Sequence, residues 1–154
     1  MVNERLIHYL EKKGLISKYQ AGFRAQRGTI DQLVRLDTFI RDAFINGDRV
    51  VGVFFDLAKA YDTTWKYGIM RDLHTMGLRG NLPIFIQNFL SERTFQILLL
   101  TTFSDDKFNQ EEGVPQGAIL STTLFNVKLN DIAKVLKLHL IFVDDSPVDC
   151  LVLI

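Results

Sequence analysis

Two short segments, residues 50–55 and 138–143, are almost wholly apolar, rich in β-branched and aromatic side chains, and run directly into acids: Phe54-Phe55-Asp56 and Phe142-Val143-Asp144-Asp145. The first, with no polar face, reads as a strand buried in the middle of a sheet, and the second as another apolar strand. Strands covered on both faces need helices packed over them, so the rest of the chain must be largely helical.

The rest of the chain carries that pattern. Leu6, Ile7, Tyr9 and Leu10 share one side of a helix expected over 3–13, which Gly14 can end. Thr29 is placed to cap a second helix, in which Leu33, Leu36, Ile40, Ala43 and Phe44 recur at helical spacing up to Gly47. Further helical patterns run over 65–76 (Trp65, Ile69, Leu73, Met76) and over 83–90, where Pro83 suits a first turn. Residues 94–101 read as a strand, and a polar stretch leads to the loop chemistry of Gly113-Val114-Pro115-Gln116-Gly117. A long helical pattern over 118–136 follows, through Leu120, Leu124, Val127 and Ile132. Asp144-Asp145-Ser146-Pro147 is then a turn between the strand over 138–143 and another over 148–154. No linker or repeat divides this order, which reads as one domain with a mixed α/β layer fold ending in a hairpin.

Composition sets limits on function. With 154 residues, 47% of them hydrophobic, the chain can bury a core without metals or crosslinks. Lys plus Arg equals Asp plus Glu at 18 each, so any nucleic-acid partner must be held by a local cluster and not by overall charge. Residues 1–37 hold such a surplus, seven basic residues (Arg5, Lys12, Lys13, Lys18, Arg24, Arg27, Arg35) against four acids. The lone Cys150 and the scattered His8, His74 and His139 offer neither an internal disulfide nor a zinc site, and an intracellular, reducing location is expected. No apolar run approaches the ~18 residues of a membrane span.

The acids carry the chemistry. If the two apolar strands are neighbours, Asp56 and Asp144 project from adjacent strand ends, with Asp145 beside them. Three clustered carboxylates repel one another unless cations lie between them, and oxygen-only ligands select Mg²⁺ or Mn²⁺. Two such ions about 3.5–4 Å apart serve in-line phosphoryl transfer. Taken alone, Asp-Asp-Ser-Pro is equally an ordinary hairpin turn.

Three segments lift the ambiguity by resemblance. Phe55-Asp56-Leu57-Ala58-Lys59-Ala60-Tyr61-Asp62, then Gly113-Val114-Pro115-Gln116-Gly117-Ala118-Ile119-Leu120-Ser121, then Phe142-Val143-Asp144-Asp145, closely resemble, in that order, core motifs of reverse transcriptases. Gln20-Ala21-Gly22-Phe23-Arg24, Phe89-Leu90-Ser91-Glu92-Arg93 and Asn130-Asp131-Ile132 look like the non-LTR, jockey-like branch.

The resemblance implies an α+β fold, mainly a polymerase palm over 49–154 with an antiparallel sheet flanked by helices, with part of the helical fingers over 1–48 and the thumb absent. It makes Asp56, Asp144 and Asp145 the catalytic, metal-binding acids, holding two Mg²⁺ or Mn²⁺ ions. Leu57, Ala58, Tyr61, Gln116 and Gly117 would form the nucleotide pocket, with the Tyr61 ring beneath the incoming sugar. Arg24 and Arg27 would contact template or phosphates. The implied partners are an RNA template, a DNA primer, deoxynucleoside triphosphates and the thumb region of a parent polyprotein. An inactive remnant that keeps the fold and weak nucleic-acid binding is the alternative expectation.

Overall fold

The computed structural model describes residues 1–52, 57–135, 140–143 and 150–153. Five helices hold most of the described chain: α1 (Val2–Lys12), α2 (Thr29–Ile45), α3 (Lys66–Thr75), α4 (Asn81–Leu90) and α5 (Ile119–Val135). Helix α1 ends as its sequence requires, with Gly14 taking a left-handed φ of +59°.

The core forms where α1 and α3 meet α5, with α4 packed on α3. Leu6 and Leu10 from α1, Ile69 and Leu73 from α3, Ile86 and Leu90 from α4, and Leu124 and Val127 from α5 make one buried cluster, which Val114 from the 113–117 loop completes. Helix α5 is buried on more than one side. Phe125 and Leu129 form a second cluster with Leu57, Ala60, Tyr61 and Ile132. A helix apolar on several faces is a central helix, with other elements packed around it.

Polar residues of α5 fasten the chain that follows α1. The Asn130 side chain, fully buried, accepts a hydrogen bond from Ser17 N at 2.6 Å and donates to Leu15 O at 2.8 Å. Asn126 Nδ2 donates to Gly22 O at 2.8 Å, and Gln20 Nε2 donates to Asn126 O at 3.1 Å. These bonds satisfy loop backbone groups that would otherwise be buried without partners.

All strand pairing among the described residues is antiparallel and two-stranded. β1 (Thr94–Phe95) pairs with β4 (Phe108–Asn109), and β2 (Leu98–Leu99) pairs with β3 (Thr102–Phe103). β5 (Leu140–Val143) pairs with β6 (Cys150–Leu153), from Leu140 opposite Leu153 to Val143 opposite Cys150. The architecture is therefore mixed α+β, as the sequence predicts. No described helix is long and apolar enough to cross a membrane.

Four local expectations need correction. Thr29 is the first residue of α2, not its cap; Gly28 holds the cap position, and its N–H donates to Asp31 Oδ2 at 2.9 Å. Of the apolar stripe on α2, Leu36, Ile40 and Ala43 are half-buried, whereas Leu33 and Phe44 are exposed. The strand expected over 94–101 is broken into β1 and β2, each in a different ladder, because Ile97 and Ser104 bond outside the regular register: Ser104 N donates to Ile97 O, and Ile97 N donates to Ser104 Oγ. Within the expected buried strand over 50–55, residues 50–52 form none and Val51 is exposed, while residues 53–55 lie outside the described residues.

Candidate functional site

Residues 57–64 fold as tight helical turns. Thr63 N and Thr63 Oγ1 both donate to Lys59 O, at 3.0 and 3.1 Å, and Thr64 Oγ1 donates to Ala60 O at 2.6 Å. Ala58 and Lys59 are exposed at the outer edge, and Lys59 adopts a left-handed φ of +51°. Leu57 and Ala60 face inward onto the Phe125 and Leu129 cluster.

The glycine-flanked loop over 113–117 docks onto this turn through its backbone. Gly113 N donates to Thr64 O at 2.9 Å, and Val114 N donates to Tyr61 O at 2.8 Å. The approach requires glycine twice over. Gly113 has φ +85°, and a Cβ there would stand 2.6 Å from Asp62 O and 2.8 Å from Tyr61 O. Beyond it Val114 is fully buried, Pro115 half-buried, and Gln116 and Gly117 exposed. The Tyr61 ring lies 5.2 Å from that of Phe125, tilted by 33°. Two of the sequence-predicted segments are thus joined, with Tyr61 at the junction. An exposed amide at Gln116 and exposed backbone at Ala58 offer donors to a ligand at this edge.

The predicted acids Asp56, Asp144 and Asp145 lie outside the described residues. Asp56 directly precedes Leu57 in the chain, and Asp144 and Asp145 directly follow β5. With no His or Cys among them, they are an all-oxygen donor set, which suits Mg²⁺ or Mn²⁺. Among the described residues, no group of three or more His, Cys, Asp and Glu side chains is placed to hold a metal ion.

The two predicted arginines stand together on another face and differ in what they do. Arg24 makes a bidentate pair with Glu11, Nε to Oε1 at 2.7 Å and Nη2 to Oε2 at 2.6 Å, and Nη1 donates to Ser17 O and Gln20 O. Its three nitrogens are thus directed at protein oxygens, and its side chain is 7% exposed. The guanidinium hydrogen bond holds the Glu11 carboxyl below its ordinary range. Arg27 donates through Nη1 to Lys18 O, where Arg35 Nη1 also arrives at 3.2 Å. Burial first, and then the positive charge of Arg24, lower the Arg27 pKa.

Arg24, Arg27 and Arg35 line a cleft of about 940 Å³ between α1, residues 16–27, α2 and α5, together with Glu11, Asp31, Gln32 and Asn126. Motif reading alone missed Gln32, Arg35 and Asn126 as cleft residues. The available signal was the basic surplus of residues 1–37, which counts Arg35 but cannot place it.

The described residues thus join a turn to a glycine loop beside a central helix, with a basic cleft elsewhere on the molecule. Residues 1–150 match the family described as reverse transcriptase (RNA-dependent DNA polymerase), and the chain belongs to it. It is 34% identical over 131 residues to the RNA-directed DNA polymerase from mobile element jockey of Drosophila melanogaster, covering 85% of this chain and 14% of that protein. The jockey polymerase of Drosophila funebris is 32% identical over 127 residues, covering 82% of this chain and 14% of its own length. A probable RNA-directed DNA polymerase from transposon BS of Drosophila melanogaster is 25% identical over 132 residues, 86% of this chain and 14% of the relative. The chain therefore spans about 14% of the length of these relatives.

Proposed function

We propose that this chain supplies the fingers and palm chemistry of an RNA-directed DNA polymerase, joining deoxynucleotides to a primer 3′-hydroxyl opposite an RNA template, inside the cell in cytoplasm or nucleus. The observation that carries this reading is the docking of residues 57–64 on the 113–117 loop, through Gly113 N to Thr64 O and Val114 N to Tyr61 O. It holds the two segments expected to line a nucleotide pocket in fixed register, in a chain of this family.

Each group has a distinct task. The Tyr61 ring, held by Phe125, is a plate beneath the incoming sugar that leaves no room for a 2′-hydroxyl. Gln116 donates to the sugar or base, and exposed amides near Ala58 meet the triphosphate. Asp56, Asp144 and Asp145 would hold two Mg²⁺ or Mn²⁺ ions, which supply charge neutralisation at the attacking and leaving oxygens. Arg27 and its neighbour Arg35 bind template phosphate, while Arg24 keeps the cleft wall in shape.

The test is incorporation of labelled deoxynucleotide into a primer annealed to RNA. Wild-type signal should require Mg²⁺ or Mn²⁺, and both Asp56→Asn and Asp144→Asn should lower it by roughly 10²–10³-fold, the scale of losing electrostatic stabilisation of the transition state. Equal rates in wild type and both variants would overturn the assignment.

A further inference from the structure

Two side-chain amides of the basic cleft carry an oxygen without a hydrogen-bond partner among the described residues. Gln32 and Asn126 both line it, and they are 3% and 4% exposed. Gln32 Oε1 and Asn126 Oδ1 are enclosed, and among the described residues neither has a hydrogen-bond partner. The Asn126 amide is fixed in orientation, because its Nδ2 donates to Gly22 O at 2.8 Å. Gln32 stands on the second turn of α2, and its amide rotates about a soft terminal torsion, so its oxygen turns toward the cleft when a donor arrives there. Buried acceptors are nearly always satisfied in folded proteins, and the one on α2 that is free to turn calls for a ligand with a donor.

The charges of the cleft define the rest of that ligand. Glu11 is occupied by Arg24, and Asp31 accepts from Gly28 N. Among the described residues neither Arg27 nor Arg35 forms an ion pair, and their Nη1 atoms converge on Lys18 O. Two guanidinium groups side by side suit a phosphate. A polymer that carries a phosphate and a sugar hydroxyl donor in every unit is RNA, whose 2′-hydroxyl is what distinguishes it from DNA at a protein site.

We propose that this cleft seats one nucleotide of single-stranded RNA, with Arg27 and Arg35 on its phosphate and Gln32 Oε1 accepting its 2′-hydroxyl proton. The proposal rests on the template reading above and adds a means of choosing RNA over DNA.

Short oligouridylate and oligodeoxyuridylate strands differ in the sugar alone, and their affinities for the 154-residue chain test it. RNA should bind about 3–10-fold more tightly, the range expected for one net hydrogen bond. A 2′-fluoro strand, which loses the donor, should bind like DNA without any change to the protein. Gln32→Met should bring RNA to the level of DNA, and Arg35→Gln should weaken both strands alike. Equal binding of RNA and DNA, both weakened by Arg35→Gln, would overturn the 2′-hydroxyl contact and leave the template reading standing. A preference for RNA that survives both the 2′-fluoro strand and Gln32→Met would likewise overturn it. Binding indifferent to Arg35→Gln would remove the cleft, and this proposal with it, from template recognition.

Discussion

Gly113 and Gly117 have nearly the same backbone torsion, φ +85° and +87°, but only one is pressed against its neighbours. A Cβ at Gly113 meets Asp62 O and Tyr61 O, whereas nothing lies within 4 Å of one at Gly117. Gly117→Ala should therefore cost only the torsional penalty, about 1 kcal/mol. Gly113→Ala adds a backbone collision that no rotamer relieves and should cost about 2–5 kcal/mol, read from urea unfolding midpoints. Charge at single residues sets the pH response. The Arg24 hydrogen bond depresses the Glu11 pKa in the folded chain below its ordinary value of 4.5. A depressed carboxyl stabilises the fold above its unfolded pKa and loses that contribution as pH falls through the folded value. The stability difference between wild type and Glu11→Gln should thus be largest near neutrality and shrink as the medium is acidified below about pH 4.5. Glu11 is partly exposed, so added salt should also reduce the difference.

Among the elements, α5 does the most to position the site, since it carries Phe125 beneath Tyr61 and the asparagines that hold residues 15–22. Asn130→Ala would leave Ser17 N and Leu15 O buried and unpaired, a loss of about 2–4 kcal/mol in unfolding free energy. Exposed Asn88→Ala on α4 should change it by no more than about 0.5 kcal/mol. Helices α1, α3, α4 and α5 were legible in the sequence because their core residues recur at helical spacing, and glycines at 14, 77 and 80 punctuate them. The apolar stripe on α2 was equally periodic, yet Leu33 and Phe44 face solvent: period shows that a face is apolar, not what covers it. Two-residue ladders such as β1 with β4 leave almost no alternation to read, so residues 94–101 looked continuous. The contact between Tyr61 and Val114 is made by backbone atoms and leaves no side-chain pattern, so only resemblance pointed to it. Arg24 and Arg27 looked alike in the sequence, where the carboxylate that claims Arg24 cannot be seen.

For the whole molecule, net charge decides how nucleic acid is held. The formal charge is zero, with 18 cationic and 18 anionic side chains, so long-range attraction to a polyanion is weak and binding depends on where the cations cluster. Arg27 and Arg35 sit together at the cleft, where both donate to the carbonyl of Lys18. If the two arginines share one phosphate and Lys18 meets a second, log affinity should fall against log salt with a slope of about −1.4, near −0.7 per phosphate for a single strand. Raising salt from about 50 to about 200 mM would then weaken binding roughly 7-fold. Arg35→Gln should flatten the slope by up to about 0.7, whereas neutralising Arg41, which pairs with Asp37 at 2.7 Å on the exposed face of α2, should leave it unchanged. Fluorescence anisotropy across a salt series measures both slopes. Equal flattening by the two substitutions would mean that the strand is held by diffuse surface charge and not by the cleft.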